Sequence, residues 1–253
     1  IKSQTRLKLK EAVERQKKQF RNMPKPKYSV TQIYRRTIML FQSIDESFLS
    51  RHNRVAVFTD GHQLFKHMFD DIAAAKESIH IEFYTIYNDR IGNQLRTLLE
   101  QKAAEGVEVR VLYDSWGSMG VKPSFYANLR DLGGYATPFL MTRSNFFDFR
   151  INYRDHRKIV VLDGKIGYVG GFNVGDQYLG RVAKFGPWRD THLRVVGGAV
   201  FGMQRQFIGD WNASVKRAES RIEHYHPYFP EIDVKDGTTA TQTWASGPEG
   251  VLE

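Results

Sequence analysis

The chain has 253 residues, 41 % of them hydrophobic and none of them cysteine. That is enough apolar material to bury a core in one large domain or two small ones. It excludes a disordered chain, disulfides and thiolate metal sites, and fits a reducing compartment. No run of about 18 uninterrupted apolar residues exists, so nothing in the sequence reads as a membrane-spanning helix, and no signal peptide precedes it. A start at Ile1 rather than Met reads as a piece excised from something longer.

The net charge of +9 sits almost wholly at the front. Residues 1–27 hold ten Lys/Arg against Glu11 and Glu14, and the remaining residues carry 27 basic and 26 acidic groups. Leu9, Val13 and Phe20 fall at helical spacing, so residues 1–47 read as a basic helical leader and linker, broken at Pro24 and Pro26. Near an anionic bilayer each surface Lys or Arg contributes on the order of 1 kcal/mol, which would hold the body against acidic lipid. Nucleic acid would attract the same charge, and a solvated linker helix explains it equally well.

From residue 61 two periods alternate. Leu64, Phe65, Met68, Phe69 and Ile72 make a helical stripe, and "SIHIEFYTI" at 78–86 alternates as a strand. A helix follows at 91–104, ended by Gly106, and then "VEVRVLY" reads as a strand with Val107, Val109, Val111 and Tyr113 on one face. A short helix at 124–132 stops at Gly133 and Gly134, before "YATPFL". After residue 150 the strands crowd together: "KIVVL" and "IGYVGG" are joined by Asp163-Gly164, a two-residue hairpin signal. "THLRVVG" at 191–197 is one more strand, 198–218 a closing helix, and 226–253 a linker rich in Pro, Gly and charge. The rhythm predicts an α/β fold: a mostly parallel mixed sheet with helices on both faces, over residues 48–225.

"HRKIVVLDGKIGYVGGFN" at 156–173 carries the chemistry. On a strand, residues i and i+2 share a face, so His156 and Lys158 are expected to project into one space. A neutral imidazole can attack the phosphorus of a diester, and the ammonium beside it can hold the non-bridging oxygens as charge shifts in the transition state. Lysine takes the part a metal plays elsewhere, so neither metal nor cofactor is expected. Asn173 offers an amide donor, and Gly170 and Gly171 let backbone approach the ligand. A bare His-x-Lys-x4-Asp match arises by chance in roughly a few per cent of chains this size, and Gly-Gly-x-Asn at fixed spacing lowers that about a thousandfold.

These residues resemble the signature of the phospholipase D superfamily. "NYRDHRKIVVLDG", "YVGGFNVGDQYLG", "PWRDTHLRVVGGAV" and "FIGDWNAS" narrow the likeness to the amino-terminal catalytic half of bacterial cardiolipin synthases, over about residues 55–250. The resemblance implies two such motifs face to face, one histidine attacking phosphorus and the other protonating the leaving alcohol. The implied reaction is phosphatidyl transfer between two phosphatidylglycerol molecules, giving cardiolipin and glycerol. His156 falls on the motif histidine, Lys158, Asn173 and Gly171 on the phosphate-binding positions, and Asp190 on the carboxylate that supports the histidine. Asp163 completes the motif, although its place at the hairpin turn reads as structural. The resemblance further implies a bacterial cytoplasmic membrane, with the catalytic part on the cytoplasmic side.

A second His-x-Lys-x4-Asp is not present, so the chain is expected to hold half an active site. The other half would lie beyond Glu253, the favoured reading because "SGP" at 246–248 resembles the opening of a second half, or belong to a second copy in a homodimer. Glu82 and Tyr84 share a face with His80 and read as pocket lining, or as a plain strand facing a helix. Phe146, Phe147 and Phe149 form an aromatic loop that either dips into a lipid interface or packs in the core. His224 and His226 lack acidic or thiol neighbours and read as a surface turn, not a metal site. Three other functions fit the motif or the leader: a hydrolase passing the phosphatidyl group to water, a superfamily nuclease, and a non-catalytic anionic-lipid-binding fragment. The balanced charge of the body speaks against nucleic acid as partner.

Overall fold

The computed structural model describes residues 34–45, 47–139, 154–215, 220–232, 234 and 236–245. The basic leader, the Phe146–Phe149 loop and the "SGP" stretch lie outside the described residues. The elements in chain order are α1 (Arg35–Ile44), β1 (Leu49–Phe58), α2 (Gly61–Ala74), β2 (Ser78–Phe83), α3 (Arg90–Ala104), β3 (Glu108–Tyr113), α4 (Ala127–Asp131) and β4 (Tyr135–Pro138). After them come β5 (Lys158–Leu162), β6 (Ile166–Gly170), β7 (His192–Gly197), α5 (Val200–Ser214) and β8 (Thr239–Gln242).

The strands form one sheet in the order β4-β3-β2-β5-β6-β7-β1-β8. It is mixed and helix-covered, as the rhythm predicts, but its parallel part is the smaller one. Among the named strands, β2 with β3 and β3 with β4 pair in parallel. The other five pairings are antiparallel. The reason is local: α3 and α4 are crossover helices and return the chain for parallel pairing, whereas Asp163-Gly164 reverses it in two residues. Asp163 has φ 51° and Gly164 φ 63°, the left-handed pair such a turn requires.

Helices cover both faces. Leu64, Met68 and Ile72 of α2 and Leu95 and Leu99 of α3 bury against Ile79, Ile81, Val109, Val111 and Val160. On the opposite face Val200 and Met203 of α5 meet Ile159, Val161 and Val195, while Phe207 and Trp211 pack toward Leu112. Each such side chain contributes about 1.5–3 kcal/mol when fully buried. Helix starts are fixed by acidic caps: Asp60 accepts from the Gln63 N–H at 2.9 Å and Asp89 from the Gly92 N–H at 3.1 Å. Gly106 and Gly133, at φ 87° and 86°, end α3 and α4.

Two departures concern the ends of the domain. β1 lacks clean alternation, with Arg51, His52 and Arg54 in it, yet it pairs with both β7 and β8. The stretch from 226 does not run free as a linker: Tyr228 is buried with its hydroxyl donating to Glu108, and Thr239–Gln242 adds the edge strand. No helix among the described residues is long and apolar enough to cross a membrane.

Candidate active site

β2 and β3 run side by side and end at Phe83 and Tyr113, and β5 enters antiparallel with Lys158 opposite Phe83. β6 ends at Gly170, opposite the first residue of β7, His192. The segments after Phe83 and Tyr113, before Lys158 and between Gly170 and His192 therefore emerge at one end of the sheet. That end carries the motif.

His156 lies just outside β5 rather than within it, and is exposed, while Lys158 is buried. The strand pairing continues one residue further, with the Tyr84 N–H donating to the Arg157 carbonyl at 3.1 Å. Tyr84 thereby joins the pair. Its ring lies 5.0 Å from the His156 ring and 5.2 Å from the Lys158 Nζ, measured between or to centroids. The Lys158 ammonium donates to the His156 carbonyl at 2.6 Å. Asn173 is fixed through both ends of its amide: the oxygen accepts from the Thr85 N–H at 3.2 Å and the nitrogen donates to the Tyr178 hydroxyl at 3.0 Å. Gly171 is required by Asp190, since a Cβ there would stand 1.9 Å from the Asp190 Oδ1.

The electrostatics suit a neutral nucleophile beside a cation. Burial and the Lys158 charge lower the His156 pKa, and Asp190 opposes the fall. At neutral pH the imidazole keeps a free lone pair. Burial lowers Lys158 to about 8, with Asp155 and Asp190 holding it from falling further, so it is still charged at pH 7. Asp190 acts through its charge; its carboxylate accepts from the Thr191 N–H at 2.7 Å and makes no hydrogen bond to the imidazole.

Two sequence candidates belong elsewhere. Asp163 stands at the far end of β5 and accepts from the N–H groups of Lys76, Glu77 and Ser78. It anchors a turn at the end of the sheet opposite His156. Glu82 does not line the pocket: it is fully buried on the α5 face beside Asp155 and Asp210, where burial and the two carboxyls push its pKa well up. His80 shares that face, hydrogen-bonded to Gln204 and stacked 4.5 Å from Phe207.

Three residues of the site escape the motif. Asp114, buried at the end of β3, accepts from the N–H groups of Trp116 and Gly117 at 2.8 and 2.9 Å, and through its other oxygen from that of Asp155 at 3.3 Å. It ties the loop after β3 to the residue preceding His156. Arg157 bridges to Asp210 at 3.1 Å, bracing the same segment against α5. His192 is buried with neither ring nitrogen hydrogen-bonded, and burial together with the Lys158 charge lowers it to about 3. Lys158, Gly170 and His192 fall in one row across β5, β6 and β7, and a Cβ at Gly170 would meet the His192 ring at 2.6 Å. Beside the site a cleft of about 200 Å³ runs between His156 and Lys158 on one side and Met203, Arg205, Gln206 and Trp244 on the other.

Neutral imidazole, buried ammonium and fixed amide at the end of a mixed helix-covered sheet define a phospholipase D-like domain. Residues 68–183 match the family model described as "Cardiolipin synthase, PLD-like domain". The chain is 44 % identical over 216 residues to a cardiolipin synthase of Listeria innocua, covering 85 % of this chain and 44 % of that one. It is 46 % identical over 203 residues to cardiolipin synthase 2 of Staphylococcus epidermidis, covering 80 % and 41 %. Over most of its length the chain is thus similar to cardiolipin synthases with a PLD-like domain, and it spans less than half the length of these relatives. In fold it is similar to NucT from Helicobacter pylori, with TM-score 0.50 and 14 % identity over 64 % of this chain and 98 % of the other. Phosphatidylserine synthase from Haemophilus influenzae gives TM-score 0.51 and 15 % identity over 70 % and 40 %.

Proposed function

We propose that this chain supplies one catalytic half of a phosphatidyl transferase that makes cardiolipin and glycerol from two phosphatidylglycerol molecules. The observation that carries the reading is the grouping of His156, Lys158 and Tyr84, with Asn173 held at the same end of the sheet. The neutral His156 attacks the phosphorus of the first phosphatidylglycerol; a nitrogen–phosphorus bond forms and the bond to the glycerol oxygen breaks. Glycerol leaves with a proton from the second motif's histidine. That histidine then takes the proton of the second phosphatidylglycerol's headgroup hydroxyl, whose oxygen displaces His156 from phosphorus. Lys158 and Asn173 hold the non-bridging oxygens, and Asp190 supports the positive charge that develops on His156. The second motif comes from a further half of the same protein or from a second copy, and the reaction takes place at the bacterial cytoplasmic membrane, from its cytoplasmic side.

The test is incubation of phosphatidylglycerol vesicles with the chain, alone and together with the remaining half of the Listeria innocua relative, beside His156→Ala. Lipids are identified by mass spectrometry. Cardiolipin and glycerol, both lost in the variant, are the expected products. Phosphatidic acid in their place would make the protein a hydrolase, and no lipid product under either condition would defeat the reading.

A further inference from the structure

The active-site end of the sheet exposes large apolar side chains that no core explains. Trp116 is 56 % exposed and Met119 70 %, both in the loop after β3, and Phe185, in the segment between β6 and β7, is 47 % exposed. The loop after β3 is not loosely placed. Asp114 fixes it, and Gly117 packs so closely on the Tyr84 carbonyl that a Cβ would stand 2.2 Å from its oxygen. The backbone that carries Trp116 and Met119 is thus fixed beside Tyr84, whose ring packs against that of His156.

Each exposed ring carries its own cation. The Arg154 guanidinium lies 4.5 Å from the Trp116 ring centroid and the Lys184 ammonium 5.7 Å from that of Phe185. Lys122 and Arg189 are exposed on the same two loops. A surface that pairs interfacial aromatics with cations fits the boundary of an anionic bilayer: rings sit at headgroup depth and cations meet lipid phosphates. On the proposed function the reacting phosphorus itself lies at that depth. A substrate anchored by its acyl chains reaches His156 only if the mouth of the site meets the headgroup layer.

We infer that the active-site end of the domain docks on an anionic phospholipid bilayer, with Trp116, Met119 and Phe185 as the inserted side chains and Arg154 and Lys184 on the phosphates. This rests on the phosphatidyl-transfer reading for the position of the substrate, and on the exposed residues for the face.

The chain has no cysteine, so single spin labels can be placed at Met119→Cys and Phe185→Cys, with controls at the exposed Lys76→Cys and Lys165→Cys at the opposite end of the sheet. Accessibility to oxygen and to a water-soluble nickel chelate is read with and without phosphatidylglycerol or phosphatidylcholine vesicles. On phosphatidylglycerol the labels at 119 and 185 gain oxygen and lose nickel accessibility severalfold while the controls stay unchanged, and Trp116→Ala with Met119→Ala weakens binding at least tenfold. Labels at 119 and 185 that stay as water-accessible as the controls on bound protein would overturn the inference. So would labels already shielded in solution, which would mean that another protein surface covers this end, or equal docking on phosphatidylcholine. Docked labels without lipid turnover would defeat the transfer reading alone, and cardiolipin formed with water-exposed labels would defeat the docking face alone.

Discussion

Lys158 carries its charge at pH 7 at 3 % exposure, with the neutral His156 carbonyl as its hydrogen-bond partner among the described residues. Desolvation of that charge opposes folding and serves the chemistry, since an ammonium in a dry site acts more strongly on a developing charge. Lys158→Met removes both effects. Turnover is expected to fall by about 10²-fold or more, while stability in denaturant unfolding rises on the order of 1 kcal/mol. The same chemistry shapes the pH profile. Turnover rises as His156 deprotonates below its ordinary value and falls as pH passes about 8, where Lys158 loses its proton. Lys158→Arg, charged throughout, should retain protein activity at lower rate but move the alkaline limb upward in a pH–rate series.

Glu82 sets a different pH dependence. Its folded pKa lies above the unfolded value, so the folded state binds the extra proton. The stability this contributes is full below the ordinary carboxylate range and is lost as pH rises through the raised folded value. Glu82→Gln, which keeps the shape of the protonated acid, should flatten that fall in stability measured from pH 4 to 8. An unchanged slope would mean that Glu82 is ionised in the folded protein.

At the scale of elements, two aspartates do similar work at opposite ends of the sheet. Asp163 gathers the N–H groups of residues 76–78 onto the β5–β6 turn, and Asp114 gathers those of Trp116, Gly117 and Asp155. Either change to alanine leaves buried or half-buried amides without their acceptor, at a cost of about 2 kcal/mol in unfolding free energy. Their effects on turnover should separate. Asp163→Ala leaves kcat per folded molecule unchanged, and Asp114→Ala lowers it about tenfold or more, because only Asp114 holds the residue that precedes His156. Equal losses of kcat would place Asp163 back among the catalytic groups.

Legibility in the sequence followed the range of the interaction that decides each feature. The hairpin at Asp163-Gly164, the stripe of α2 and the face of Val109 and Val111 are decided within a few residues, and their patterns are plain. The antiparallel entry of β5 beside β2 depends on pairing between residues about 80 apart, such as Glu82 with Ile159, and leaves no local mark. β1 reads as polar because Arg51, His52 and Arg54 point to solvent at positions its partners do not reveal. The grouping of His156 with Lys158 is legible because motif spacing fixes it. His192 is not: its place depends on Gly170 of the neighbouring strand, and a lone histidine at the head of a strand has no distinguishing pattern. The burial of Glu82 was hidden for a related reason, since only α5, arriving more than 100 residues later, decides which side of β2 is covered.

At the scale of the molecule, the site sits at one end of the sheet, and on the proposed function a second motif meets it there from outside the described residues. The sheet itself has a separate consequence for how the domain comes into being. Among the described residues β1 pairs with β7, at residues 192–197, and with β8, at residues 239–242. A growing chain emerging from the ribosome therefore holds β1 without these neighbours until almost the whole length described here has been made, and the sheet closes late around a strand synthesised well before its partners. Such late closure slows folding and leaves a period open to aggregation. Truncation before residue 242 should accordingly harm the yield of folded protein far more than its distance from His156 would suggest.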